Sequence, residues 1–363
     1  MNCPQCSYSN PEGVKYCLNC GNRFINDNSQ QEQNSHFYEF AQYVDMVPSS
    51  HRSVEPKFRN IFSRVFRRHS DLEAERLFIV GTALTTPSIE EVKDTWPKPW
   101  LFARVFLIVL IAYLGFYLGV SLFGNINFIP GLIIVGSFAV PFSTLMFFWE
   151  MNAPQNIAMY KIVYVVLIGG ILSMLVALVF YDILRNNINP ITIGIVEELS
   201  KVITVIYFVR HKKYKYVLNG LLLGAAVGSG FAAFETAGYA LRALLSGNFQ
   251  TLMFTILVRS FFAPGGHIAW AALTGAAICM VKGDKKFEFN MLLKPKFVRT
   301  FIFVVLMHAL WDSRLVGALP LGQFILMVIS WIFVFRTIRF GLKEIAEKKW
   351  ELTNYQEPRP SYE

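Results

Sequence analysis

The sequence predicts an all-α polytopic membrane protein of about eight transmembrane helices, preceded by a small cysteine-clamped module. Three observations predict it. Of 363 residues, 54% are hydrophobic and only 16% are charged, against about 25% charged in ordinary soluble domains. From Leu101 onward the apolar residues fall in successive runs of roughly 20, the length an apolar helix needs to cross a ~30 Å hydrocarbon layer. Two Cys-x-x-Cys pairs stand ahead of all of them, at Cys3/Cys6 and Cys17/Cys20.

Those pairs read as Cys3-Pro-Gln-Cys6 and Cys17-Leu-Asn-Cys20, and Gly21 suits a tight turn that faces backbone amides toward a thiolate. Four thiolates around one tetrahedral Zn²⁺ need this paired spacing, so residues 1–24 are expected to form a structural zinc ribbon. Two disulfides would conflict with a reducing, cytosolic location. Four cysteine ligands leave no open position for chemistry, which points to a structural or docking role, with a cytosolic protein as the candidate partner. Residues 25–56 form a polar linker with little to bury, including the Asn26–Ser35 stretch. Residues 57–100 are a juxtamembrane region. There Phe58, Ile61, Phe62, Val65 and Phe66 follow helical spacing, with Lys57, Arg59, Arg64, Arg67 and Arg68 mostly off the stripe. Such a basic amphipathic helix either lies on the inner leaflet or packs on the protein's own loops. Leu77–Leu84 is apolar but too short to span, and no cleavable signal peptide is expected from so polar a start.

The transmembrane domain is expected over 101–340, with spans near 101–123, 127–149, 161–183, 190–209, 217–243, 263–281, 297–315 and 319–336, followed by a cytosolic tail over 341–363. Net charge is +9, and its distribution carries the orientation. Arg210, Lys212, Lys213 and Lys215 follow the fourth span, and Lys282, Lys285, Lys286, Lys294 and Lys296 follow the sixth. The alternate loops hold little beyond Arg185, Arg242 and Arg314. Basic short loops face the cytoplasm, so a multi-pass cell-membrane protein with both termini cytoplasmic is expected. The basic balance then reflects the lipid bilayer as partner, and nucleic acid is not expected.

Ionisable residues inside spans are costly and need a reason. The fourth span carries Glu197, Glu198 and Lys201, the fifth Glu235, the sixth His267, and the seventh His308 and Asp312. With the N-terminus inside, Glu197, Glu235 and His308 each lie about two turns, roughly 10–12 Å, from the predicted outer surface, and His267 lies at a similar level. One shared depth lets them meet in one cavity. Glu197 and Lys201 are i, i+4, a spacing for an ion pair. His308 and Asp312 share that spacing, at which two side chains can hold one metal. Glu198 points about 100° away from Glu197 on the helix, which implies a different role. Pro264-Gly265-Gly266 breaks the chain just before His267, as tolerated where backbone lines a cavity. Arg259 is expected to reach the outer headgroups. Gly220, Gly224 and Gly228 repeat every four residues and let the fifth span pack closely on a neighbour.

These residues resemble the PrsW family of intramembrane metalloproteases, relatives of the Abi/CAAX prenyl protease superfamily. The resemblance rests on Glu197-Glu198-Leu199-Ser200-Lys201, Phe231-Ala-Ala-Phe-Glu235, His267 and His308-Ala-Leu-Trp-Asp312, in order, over roughly residues 100–340. It implies proteolysis in or beside the membrane, with membrane-anchored proteins such as anti-sigma factors as substrates. By the resemblance, Glu197 or Glu198 would be the base that activates water, and Glu235, His267, His308 and Asp312 would hold a divalent ion, Zn²⁺ by expectation, or position that water. The CAAX-type relatives carry a histidine where this chain has Glu235, so prenyl substrates do not carry over.

The chemistry is coherent with those side chains. A metal held by histidine and carboxylate lowers the pKa of its water toward ~7, and a neighbouring glutamate can take the proton. An ion-free version has glutamate and histidine act on water directly. Two other classes compete: a proton-coupled transporter, since intramembrane Glu, His and Asp also build relays, and a catalytically silent binding protein. No matching charge pattern occurs in the first three spans, which weighs against the two related halves common in transporters.

Overall fold

The computed structural model describes residues 1–10, 14, 17, 19–20, 24, 58–93, 95–185, 188–319 and 321–356. The linker predicted over 25–56, Gly21, Lys57 and the end of the tail, 357–363, lie outside the described residues. Among the described residues the regular structure is helical, apart from one isolated bridge between Asn2 and Ser9.

The juxtamembrane region packs on the protein itself. The helix expected over 57–68 is a single short one, Phe58–Phe62, followed by turns. Ile61 and Val65 are buried, while Phe62 and Phe66 stay exposed. Arg104 holds the turns by donating to the carbonyls of Val65 (3.2 Å) and Arg67 (2.5 Å). These bonds satisfy carbonyls that a longer helix would have used internally. The apolar stripe is therefore divided between the bundle and the surroundings. Helix α1 (Asp71–Ile79) opens on a reciprocal capping box between Ser70 and Glu73.

The bundle follows as α2 (Leu101–Ser121), α3 (Ile129–Met151), α4 (Met159–Leu184), α5 (Pro190–Val209), α6 (Val217–Ser246), α7 (Phe249–Phe262), α8 (His267–Lys282), α9 (Pro295–Trp311) and α10 (Gly322–Gln356). Glu150 ties α3 to the start of α2, accepting from the amides of Trp100, Leu101 and Phe102 at 2.7, 2.9 and 3.0 Å. A carboxylate there satisfies orphan amides and suits the positive end of the helix. A π turn, Val165–Gly169, interrupts α4. Asn189 caps α5, with Pro190 at its first position.

Among the described residues, six stretches are long and apolar enough to cross a membrane: α2, α3, α4, α6, the continuous Phe249–Lys282 and Gly322–Leu352. The two other predicted spans are present as α5 and α9. Helix α5 carries Glu197, Glu198 and Lys201, and α9 has only 17 residues. The two helices that depart from a plain apolar span are thus the ones bearing five of the ionisable residues of interest. The sixth predicted span is longer than expected: α7 and α8 form one 34-residue path bent at Ala263–Gly265. Pro264 has no amide to continue the helix, which makes the bend. Asn248 starts α7 by accepting from the Thr251 amide at 2.9 Å. Helix α9 ends at Trp311 rather than 315, and α10 continues unbroken past residue 340.

The centre of the bundle is the antiparallel pair α6 and α8. A Cβ on Gly220 would strike the Gly275 carbonyl, one on Gly224 the Ala271 carbonyl, and one on Gly228 the His267 carbonyl. The helices meet backbone to backbone. Overpacking of this kind costs about 1–3 kcal/mol, so Gly224→Ala should lower the thermal unfolding midpoint of the purified protein clearly. Gly238→Ala, on the same helix with nothing within 4 Å of the added Cβ, should leave it unchanged or raise it by the helix-propensity gain of about 1 kcal/mol.

Candidate active site

The six residues singled out in the sequence come together between α5, α6, α8 and α9. Glu197 and Glu198 come from α5, Glu235 from α6, His267 from the first position of α8, and His308 from the last turn of α9. Asp312 is the C-cap residue of α9. His308 Nε2 lies 3.6 Å from Glu197 Oε2 and 3.5 Å from Asp312 Oδ2. His267 Nδ1 lies 3.9 Å from the same Glu197 oxygen, and the two imidazole centroids are 5.1 Å apart.

Each histidine is oriented by a carboxylate on its other nitrogen. His308 Nδ1 is 2.7 Å from Glu198 Oε1, and His267 Nε2 is 3.0 Å from Glu235 Oε2. Those contacts assign N–H donors on Nδ1 of His308 and Nε2 of His267, because a carboxylate only accepts. The nitrogens left over are the two that face Glu197. This is the arrangement by which outer carboxylates orient metal-binding histidines.

Two pairings differ from the sequence expectation. Lys201 binds Glu198 at 2.6 Å, not Glu197, and also contacts His267 Nδ1 at 2.9 Å. The i, i+3 and i, i+4 positions are both within reach on a helix, and the fully buried Glu198 needs the cation more. Arg259 does not run out to the headgroups. Helix α7 turns it inward, where it donates to Glu235 Oε2 at 2.5 Å and Thr236 Oγ1 at 3.2 Å and lies over the Tyr239 ring. A buried carboxylate beside a guanidinium is far cheaper than either group alone.

Glu197 is what remains. Tyr181 donates to its Oε1 at 3.0 Å, while its Oε2 is buried with no hydrogen-bond partner among the described residues. One ligand atom each from Glu197, His267 and His308 falls within 4.8 Å of the others. The orphaned oxygen, the two imidazole nitrogens that face it and the mixed oxygen–nitrogen donor set all suit a divalent ion such as zinc. Glu235 and Asp312 lie outside that compact group: Glu235 is occupied by Arg259 and His267, and Asp312 borders His308 from the more open side.

Sequence reasoning did not find Tyr181, Trp270 or Ser330. Trp270 packs on His308 at 4.8 Å and donates to Ser330 Oγ at 3.0 Å. Its i+3 spacing from His267 was a usable signal. Tyr181 and Ser330 are uncharged residues within the apolar stretches of their helices and gave none.

A second cluster lies in the N-terminal segment. Cys3, Cys6, Cys17 and Cys20 place their sulfurs within 4.8 Å of one another, with Cys3–Cys20 and Cys6–Cys17 at 3.5 Å. A tetrahedral zinc with ~2.3 Å bonds needs edges of about 3.8 Å, so the cage fits one. Burial favours the neutral Cys17 thiol, but hydrogen bonding from the Cys20 and Asn19 backbone, then from Asn10 and Cys6, outweighs this and lowers it to about 6. That favours the thiolate, the form that binds metal.

Residues 158–338 match the family model of the PrsW family intramembrane metalloprotease. The chain belongs to the PrsW family. The matched stretch contains all six site residues and leaves the cysteine cluster outside it. No curated protein and no solved structure matches the chain. As a PrsW protein it is a membrane-embedded protease, and the bundle supplies the multi-pass membrane body such an enzyme requires.

Arg259 lies in the same match and touches no reacting group directly, yet it fixes the carboxylate that orients His267. Arg259→Gln should lower the turnover of this PrsW enzyme by about tenfold or more, comparable to losses on removing outer partners of metal-binding histidines. Arg259→Lys should recover part of it. Proteolysis of a membrane-inserted reporter by both purified variants checks this.

Proposed function

We propose that this membrane metallo-endopeptidase cleaves a membrane-anchored protein, of the single-span anti-sigma-factor kind, with Glu197 as the base that activates water. The observation that carries the reading is the bare Oε2 of Glu197, buried 3.9 Å from His267 Nδ1 and 3.6 Å from His308 Nε2. Glu198 also has a buried Oε2 without a partner among the described residues, but its Oε1 holds both Lys201 and His308, whereas no lysine or arginine among them pairs with Glu197. That makes Glu198 a positioning group and leaves Glu197 as the base.

His267 Nδ1 and His308 Nε2 would hold a divalent ion, with Asp312 beside them; Lys201 then turns wholly to Glu198. Bound there, the ion would acidify water and polarise the scissile carbonyl. Glu197 Oε2 accepts the water proton and returns it to the departing amide nitrogen. Tyr181 holds Glu197 by its other oxygen so that Oε2 stays aimed at the histidines. Glu235, fixed by Arg259, keeps the His267 proton on Nε2 and so leaves Nδ1 as the acceptor nitrogen, on the side of Glu197 and Lys201. The compactness of the Glu197–His267–His308 group supports one further role for Glu197, as a third ligand.

The test separates these. Glu197→Gln keeps size and hydrogen bonding but cannot take a proton. It should abolish cleavage of a single-span substrate in liposomes while leaving folding and metal content intact; loss of metal along with activity would make Glu197 a ligand. His308→Ala should lose both activity and metal. Wild-type cleavage by both variants would remove this site from the reaction, and normal cleavage by metal-free protein would remove the ion from it.

The ribbon zinc is proposed to be structural, since four thiolates close the site to chemistry. Deleting residues 1–24 should remove about one zinc per chain and leave cleavage by the membrane part near its original rate, measured by metal analysis alongside the same assay.

A further inference from the structure

Away from the catalytic cluster, α8, α9 and α10 do not close completely on one another. A crevice of about 200 Å³ lies between them. Its apolar wall includes Leu273, Ala276 and Ala277 of α8, and Arg299 stands on its lining. The gap has a local cause. The two alanines are too short to fill the space, while Phe303 of α9 and Phe333 of α10 meet at 4.3 Å between ring centroids and prop their helices apart.

We propose that this crevice binds an anionic glycerophospholipid of the surrounding bilayer, one acyl chain between the helices and the phosphate on Arg299. The apolar part runs from Leu273 to Met280, about 10 Å along α8. It is narrower than the ~300–1,000 Å³ pockets that enclose drug-sized ligands, as suits an unbranched chain. The polar end commits the headgroup. Arg299 is exposed and makes no hydrogen bond or ion pair with any described residue. The hydroxyls of Thr300 and Thr337 are turned away, each donating at 2.9 Å to a carbonyl of its own helix. The guanidinium is therefore the donor on offer, and it is suited to phosphate.

The surroundings select for net charge. Lys296 is three residues before Arg299 on the same helix face, and Arg336 is three after Phe333. Among the described residues, no carboxylate lines the crevice. A zwitterionic lipid would carry its ammonium into this basic rim, whereas an anionic one meets only cations. Basic pockets between membrane helices recognise anionic headgroups in this way.

The experiment uses the full chain in micelles holding equal amounts of dioleoylphosphatidylglycerol and dioleoylphosphatidylcholine, with retained lipid read by native mass spectrometry. The wild type should retain the glycerol lipid preferentially. Arg299→Gln should reduce that preference about fivefold, the factor for one basic charge near a headgroup, and Arg299→Lys should keep most of it. Ala277→Leu, which fills the crevice, should lower retention of both lipids. Arg314→Gln, just beyond the far end of α9, should change nothing. The proposal is overturned if the wild type retains both lipids equally, if Arg299→Gln and Arg314→Gln act alike, or if a folded Ala277→Leu retains lipid as before. Unfolding of Ala277→Leu leaves the three arginine variants to decide.

Discussion

The bundle depends on two helices touching without side chains between them. Helices α6 and α8 approach so closely that Gly220, Gly224 and Gly228 each face a carbonyl of the partner helix. In a membrane there is little hydrophobic gain from bringing helices together, and close van der Waals contact is what holds them. The contact also sets a register. The last of the three glycines faces His267 itself, so the helix start that carries the histidine is fixed against α6 one and a half to two turns below Glu235. Continuing in that antiparallel register brings Arg259 of α7 onto Glu235 and Thr236.

The charges obey a second constraint, that none is left alone in a dry interior. Lys201 neutralises Glu198, Arg259 neutralises Glu235, and each of those carboxylates takes a histidine as well. Removing one partner of such a pair typically costs about 3–5 kcal/mol because the other charge is stranded. The pairing gives a cation to every carboxylate in the cluster except Glu197 and the partly open Asp312. Glu197, the proposed base, is thus the carboxylate that the stabilising network passes over. Neutral neighbours finish the arrangement: Tyr181 of α4 holds one Glu197 oxygen, and Ser330 of α10 steadies the indole that packs on His308. Helices that contribute no charge therefore still determine where the charged groups stand.

Much of this was legible in the sequence. Runs of apolar residues fixed the helical class and nearly all the span positions, because backbone amides in lipid must be satisfied within the helix and its length must match the bilayer. Intramembrane Glu, His and Asp marked the site, since their cost makes them rare. Four-residue glycine spacing announced a close crossing, and the two Cys-x-x-Cys pairs announced the cluster they form. Helix α7 was not legible: its apolar residues precede a proline, and only packing against α3 and α6 reveals that the path is continuous through Pro264.

Partners were decided by tertiary structure alone. Along α5, Lys201 is within reach of both Glu197 and Glu198, and local spacing does not rank them. The choice falls to Glu198 because α9 delivers His308 to the same oxygen and seals the carboxylate from solvent. Arg259 could extend toward headgroups or inward with equal local propriety until the bend at Ala263–Gly265 sets the direction of α7. Sequence by itself determined which residues must be buried and what each could offer chemically, because hydropathy and side-chain chemistry are local properties. Which oxygen stays free, and which nitrogen faces it, depends on distances between helices far apart in the chain, and those were settled only by the packing.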